Sequence, residues 1–356
     1  VGRLRYFPHD LIDQEPSVPY PRRVEQLQTP VLTVDAGLLE ANLAIMTAHL
    51  PGTRLRPHVK AHKCTELARR QYEAGHESFT CATIREVEGM AAAGLGADLL
   101  LANEVLDTSR LGALVADGTR VTVAVDSPAT IEAAATGGVR EVLIDVNVGL
   151  PRCGCDPGDA ARLAEQAEDA GLEVRGVMGY EGHAVGIEDL DERTRQVHAS
   201  MHILAGAHEA VGRPICSGGG TGSWDLNTAT NEMQAGSYAL MDTAYAKLGL
   251  PFAHALTLAA TVISVNRQGW AVADCGLKAL GMDHGLPSIV GGSSVWYCSD
   301  EHLVFGPPEG SPLPAVGDRI EVLPAHVDPT VAYHEALFVT DGAEVLDRWP
   351  IDLRGW

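Results

Sequence analysis

The chain has 356 residues, with 47 acidic against 26 basic side chains and a formal net charge of -21. That charge repels a phosphate backbone and an anionic leaflet, which argues against nucleic-acid and membrane-surface partners. No apolar run reaches the roughly 20 residues that span a bilayer, VGRLRYFPHD lacks a signal-like apolar stretch, and seven scattered cysteines without C-x-x-C spacing read as reduced thiols; the expectation is a soluble, cytoplasmic protein.

Residues 1–24 are irregular, rich in Pro and Arg, and are assigned to pack on the C-terminal part of the chain. From Thr29 onward short β-branched runs alternate with longer amphipathic stretches, the pattern of βα units around a parallel sheet. VLTVD opens the series, and Leu39, Leu43, Met46 and Leu50 then recur at helical spacing. RLRPHVK, SFTCAT, DLLLAN, VTVAVD, EVLIDVNV, EVRGVMGY, PICSGGG and EMQAGSYALMD follow as strand candidates. Between them helices announce their starts. Thr83 with Glu86 forms a capping box, and Ser127–Pro128 and Asp156–Pro157 read as N-cap and first helical position. Leu163, Ala164 and Ala167 keep helical spacing up to the stop at Gly171.

Nine strand candidates are one more than a barrel needs, so Val31 to Asp35 is predicted to pair outside it. Eight strands from Arg54 to about Asp242 then form an α/β fold of the (β/α)8 TIM-like kind. A doubly wound open sheet is the alternative; the strand count and the absence of a composition shift favour the barrel. After Leu258 strands follow one another without intervening helices, punctuated at Gly269, Gly317 and Gly342, which predicts an all-β C-terminal domain. The division expected is 25–255 for the barrel and 256–356, with 1–24 packed on it, for the β-domain.

Only four lysines occur, Lys60, Lys63, Lys247 and Lys278, and two of them fall in RPHVKAHKC. Lys60 ends a barrel strand, where active sites of this fold are built. Partly desolvated beside His58, its amine is suited to Schiff-base chemistry; a surface lysine at a strand end is the plain alternative. PICSGGGTGSW places Gly218, Gly219, Gly220 and Gly222, with Ser217 and Thr221, after the seventh barrel strand, the recurrent phosphate position of such barrels. A dinucleotide fingerprint would open the first βα unit and not arrive this late. A late phosphate cup with an early strand-end lysine suits pyridoxal phosphate.

In LPAHVDPTVAYHEAL, His326 and Asp328 stand two apart. In an extended segment both would point the same way and share one divalent ion. His183 in GYEGHA, His302 and His334 are further candidate ligands or acid-base groups. Arg152 in VGLPRCG and Tyr180 in MGYEG end the fifth and sixth strands and are expected at the same mouth as Lys60. Arg152 beside the pyridine nitrogen would keep it unprotonated and weaken the electron sink, making a metal on the substrate's β-oxygen useful. Asp274 and Asp283 are placed in the β-domain without a role.

Taken in order, TPVLTVDAGLLEANL, RPHVKAHKC, VNVGLPRCG, SGGGTG, AGSYALMD and H-x-D resemble the D-threonine aldolase and D-serine dehydratase group, similar in fold to alanine racemase. The resemblance runs from about Thr29 to the C-terminus. It implies Lys60 as the Schiff-base lysine, Ser217 to Gly222 as the phosphate holder with Tyr238 of AGSYALMD nearby, and His326 with Asp328 as metal ligands. It also implies a homodimer whose active site lies between a barrel and a β-domain of the same chain or its partner. Within the group the eukaryotic-type D-serine dehydratases carry H-x-C for zinc, whereas the aldolases carry H-x-D. Here a carboxylate replaces the thiolate, a harder ligand that favours manganese, magnesium or cobalt, with manganese preferred.

The function expected is retro-aldol cleavage of a D-β-hydroxy-α-amino acid to glycine and an aldehyde, with His58, His183 or a metal-held water taking the hydroxyl proton. The alternatives are dehydration of a D-serine or D-threo-3-hydroxyaspartate type substrate, a non-catalytic cofactor carrier, and a racemase, for which no second-face base is evident.

Overall fold

The computed structural model describes residues 20–356; the packing expected of residues 1–19 lies outside them. At the start of the described chain, Tyr20 packs edge-on against Phe338, with centroids 6.2 Å apart. Val24 N–H donates to the Ala343 carbonyl at 3.0 Å.

Two sheets organise the molecule. The first is parallel and runs in sequence order through β2 (Phe79–Cys81), β3 (Leu99–Leu101), β4 (Val121–Val125), β5 (Glu141–Asp145), β6 (Glu173–Gly179), β7 (Ile215–Gly218) and β8 (Glu232–Met233). The expected first barrel strand, RLRPHVK, is not a regular strand. Its residues nonetheless fill the gap between β8 and β2. Arg56 and His58 donate their N–H groups to the carbonyls of Met233 and Ala235 at 2.8 and 3.0 Å, and the Pro57 carbonyl accepts from Thr80 N–H at 2.9 Å. Pro57 has no N–H to give, so the ladder is reduced to isolated bridges at Leu55 and His58.

Side-chain alternation sorts the barrel into layers. Leu99 and Leu101 face the surrounding helices, while Leu100 turns inward against Ala124, Leu143 and Met178. One end of the interior is filled by charge. Arg56, 2 % exposed, pairs with Asp98 and Glu232, and Arg175 pairs with Asp98 and Glu141. The two guanidiniums outweigh burial and hold the Asp98 carboxyl well below the usual carboxylate range.

The helices follow the predicted starts with two differences. α1 (Ala36–His49) is capped by Asp35, whose side chain accepts from Leu38 N–H, and buries Leu39, Leu43 and Met46, each worth roughly 1.5–3 kcal/mol by transfer out of water. α5 (Pro128–Thr136) opens on the Ser127 capping box and α6 (Ala160–Asp169) follows a 3-10 turn capped by Asp156. At α3 (Ile84–Ala92) Thr83 caps Glu86 N–H, but the Glu86 carboxylate does not return to the cap. It accepts from Ala82 N–H at 2.5 Å and pairs with Lys63. EMQAGSYALMD is strand only over β8, and Ser237–Ala239 forms a 3-10 turn before α8 (Thr243–Ala246). α2 (Thr65–Glu73), α4 (Ser109–Ala116) and α7 (Leu190–Val211) complete the outer layer. No helix among the described residues is long and apolar enough to cross a membrane.

The second sheet holds β9 (Leu256–Asn266), β10 (Trp270–Ala273), β11 (Ser288–Ile289), β12 (Ser294–Cys298), β13 (Leu303–Gly306), β14 (Arg319–Leu323), β15 (Ala336–Asp341) and β16 (Glu344–Pro350). It also holds β1 (Val31–Asp35), inserted antiparallel to β9 and parallel to β15. Val31 to Asp35 thus pairs outside the barrel, as its count requires. One helix interrupts this region, α9 (Val327–Ala332). The chain then ends on the barrel: Asp352 accepts from Thr65 N–H and Oγ1–H, and Leu353 is buried where a Cβ on Gly89 would stand 2.2 Å from it.

Candidate active site

The carboxyl ends of the barrel strands open into a cavity of about 430 Å³. Lys60 enters it from the 3-10 turn Val59–Ala61, whose cap is His58: the His58 Nδ1 accepts from Lys60 N–H at 3.4 Å. That contact fixes the turn and leaves the amine reaching inward. Lys60 Nζ lies 3.3 Å from Asp328 Oδ2, the lysine side chain 41 % and the carboxylate 16 % exposed. Asp328 raises the Lys60 pKa against the opposing effect of burial. Burial pushes the Asp328 carboxyl up, but Lys60, His326 and His58 outweigh it and hold the group ionised. His58 shows the reverse balance, buried and beside the Lys60 cation, so its imidazole is kept neutral well below its ordinary pKa.

Asp328 reaches the cavity because α9 is clamped to the barrel. Asp242, 1 % exposed, accepts from Tyr245 N–H at 2.9 Å with one oxygen and from Val327 N–H at 3.0 Å with the other. This revises the reading of His326 and Asp328 as neighbours on an extended segment. His326 is the N-cap residue of α9 and Asp328 lies in its first turn, so the two diverge. Asp328 faces Lys60 and accepts from Ser237 Oγ–H at 3.3 Å, while His326 Nδ1 meets Asp283 Oδ2 at 2.7 Å.

Glycines make the opposite chemistry of the wall. Gly218, Gly219, Gly220 and Thr221 line the cavity. Gly219 has φ +80, and a Cβ there would stand 2.2 Å from Met233 Sδ; one on Gly218 would stand 2.4 Å from the Gly179 carbonyl. Tyr180 leans on this loop, its Cε2 3.3 Å from where a Gly220 Cβ would be, and Arg152 lies 5.4 Å over the Tyr180 ring. Arg152 makes no ion pair within 4 Å among the described residues.

Four predicted residues are placed elsewhere. Ser217 is fully buried and donates to Glu232 within the barrel, and Gly222 packs under the Val185 carbonyl. Tyr238 points into the core, its hydroxyl accepting from Gln71 at 3.0 Å; only its N–H serves the loop, donating to Thr221 Oγ1. His183 is exposed on the outside, 3.4 Å from Ser200 Oγ. His302 and His334 also lie away from the cavity. Residues that sequence reading did not assign to the site line it as well: Thr83, Asn103 and Glu104 after β2 and β3, Gln234 and Ser237 after β8, and Tyr245 of α8. All but Tyr245 lie within four residues past a strand end.

Residues 34–244 match the alanine racemase N-terminal domain and 255–340 match a putative serine dehydratase domain. A D-threonine aldolase from Arthrobacter sp is 33% identical over 93% of this chain and 94% of its own length. The crystal structure of D-threonine aldolase from Filomicrobium marinum superposes with a TM-score of 0.89 at 34% identity, covering 95% of this chain and 99% of that one. D-threo-3-hydroxyaspartate dehydratase from Delftia sp. HT23 superposes at 0.84 with 26% identity over 94% and 100%; a mutant of that enzyme is described in a metal-free form.

An alanine-racemase-like fold implies pyridoxal phosphate, and this cavity fits it. It offers the Lys60 amine for an aldehyde, a run of backbone to receive a phosphate in which Gly218 and Gly219 leave no room for a Cβ, and an Arg152 guanidinium without an ion pair among the described residues for further anionic groups. A cation also finds suitable donors, since imidazole nitrogen and carboxylate oxygen occur together at Asp283, His284 and His326, whose donor atoms lie within 4.8 Å of one another. The chain belongs to the alanine racemase N-terminal-domain family, in the group that includes the D-threonine aldolases.

Proposed function

We propose that this protein is a carbon-carbon lyase that uses pyridoxal phosphate and a divalent cation to cleave D-β-hydroxy-α-amino acids of the D-threonine type to glycine and an aldehyde. The observation that carries this reading is Asp328: a carboxylate, not a thiolate, follows His326 by two residues and stands at the Schiff-base lysine candidate. Similarity to the D-threonine aldolases along nearly the whole chain supports it.

Lys60 would hold the cofactor, with the backbone of Gly218 to Thr221 around its phosphate, and His326 with Asp328 would hold the cation, manganese by preference. When bound, these groups supply an electron sink for the Cα carbanion and Lewis acidity at the β-hydroxyl. Arg152 orients an anionic group over Tyr180. His58, kept neutral by burial beside Lys60, would take the hydroxyl proton through Nδ1, the nitrogen that now accepts from Lys60 N–H. We also read the protein as a cytoplasmic homodimer, with 25–255 as the cofactor-carrying unit and 256–356 as the cation-carrying one.

The test is a product assay with pyridoxal phosphate and Mn2+, offering D-threonine, L-threonine and D-serine. Glycine and acetaldehyde are expected from D-threonine alone, lost with chelator and reduced to background in Lys60→Ala. The second reading, a dehydratase, draws on the likeness to the Delftia enzyme. Pyruvate from D-serine or 2-oxobutanoate from D-threonine would establish it and overturn the aldolase.

A further inference from the structure

Beside the cavity, His326 Nδ1 lies 2.7 Å from Asp283 Oδ2. The His284 ring stacks on the His326 ring, centroids 3.9 Å apart and planes at 12°. The arrangement is held by backbone: Gly281 and His326 form an antiparallel bridge, and Gly281 N–H donates to Thr330 Oγ1 at 2.9 Å. A Cβ at Gly281 would stand 2.3 Å from Pro329 Cγ, so glycine is what lets residues 281–284 lie against the first turn of α9. Donor atoms of Asp283, His284 and His326 all fall within 4.8 Å of one another.

Two readings of this cluster differ chemically. Were Asp283 a direct ligand, its oxygen would face a cation. At 2.7 Å from Nδ1 it faces a ring nitrogen at hydrogen-bond length, with the proton between them. A ring that carries its hydrogen on Nδ1 has its lone pair on Nε2, and a carboxylate partner makes that lone pair more basic. His284 covers one face of the same ring and restricts its rotation.

We infer that Asp283 is a positioning residue for the cation: it fixes the tautomer and orientation of His326 so that Nε2 is the ligand atom, with His284 as a packing wall. This rests on reading His326 and Asp328 as the cation ligands. Asp283 itself is 57 % exposed, so its replacement leaves the fold in place.

The experiment is Mn2+ titration, by calorimetry, of the full-length protein loaded with pyridoxal phosphate, in wild type and in Asp283→Ala, Asp283→Asn and His326→Ala. Asp283→Ala is expected to weaken Mn2+ by about 10–100-fold. Asp283→Asn keeps an oxygen to accept from Nδ1–H and should recover most of that loss, while His326→Ala should weaken binding most. Unchanged affinity in Asp283→Ala alongside a loss in His326→Ala overturns the inference and spares the reading of His326. An Asp283→Asn as weak as Asp283→Ala also overturns it, because Asp283 would then bind the cation directly. Unchanged affinity in His326→Ala means that the reading of His326 as a ligand has failed, and the inference with it.

Discussion

In the proposed reaction Lys60 and Asp328, an ion pair at 3.3 Å, would have to part before either could take its role. An ammonium cannot attack a carbonyl, and the carboxylate at 3.3 Å is the main cause that raises the amine's pKa above its ordinary value. Removing the negative charge lowers the Lys60 pKa and raises the fraction of free amine at any given pH. In Asp328→Asn, with chelator present, capture of Lys60 by pyridoxal phosphate and borohydride should therefore reach half-maximum at a more acidic pH than in wild type. A midpoint unchanged or moved to higher pH would show that Asp328 does not govern the amine. The sequence made Lys60 visible because lysine is scarce, and Asp328 visible through its spacing from His326. His183 and Tyr238 were misplaced for one reason: past the strand ends each lies in a turn, where distance from the strand does not fix which way a side chain points.

At the level of elements, the glycine loop and α9 supply the two sides of the site. Gly219 combines φ +80 with a neighbour at 2.2 Å from any Cβ, and a residue forced into such a conformation costs about 1–3 kcal/mol. Gly219→Ala should lower stability by about 1–3 kcal/mol and, by displacing the loop, weaken pyridoxal phosphate binding. Gly206→Ala, in α7 where a Cβ meets nothing within 4 Å, should bind normally and be slightly more stable. Equal binding by both variants would remove the loop from the cofactor site. The loop was legible because four glycines in five positions directly follow a strand. α9 was not: six residues, β-branched at the start and broken by Pro329, show too little period to be told from a strand end, so the parity argument for His326 and Asp328 began from the wrong backbone.

For the molecule as a whole, the strand count carried the architecture even though one counted strand is not regular. RLRPHVK closes the barrel through three backbone hydrogen bonds around a proline, and hydrophobic alternation does not reveal that. The charged interior escaped sequence reading for a related cause. Arg56, Asp98, Glu141, Arg175 and Glu232 stand far apart along the chain and look like ordinary solvated residues until the barrel brings them together.

The place of β1 bears on how the protein is made. Among the described residues it is the first strand to be synthesised, yet its partners β9 and β15 lie more than 200 residues later, so the centre of the second sheet waits through synthesis of the entire barrel. Its unpaired backbone needs shelter during that interval, and α1, which follows it directly, is the local candidate. A fragment of residues 256–356 made alone would have an open slot between β9 and β15, two bare edges of the kind that drive self-association. It should aggregate when purified, and a peptide of residues 29–50 supplied in trans should suppress this. A soluble, monomeric fragment would instead show that the C-terminal strands close up without the one that precedes them. Cutting this chain at its apparent domain border therefore separates a sheet from its own middle.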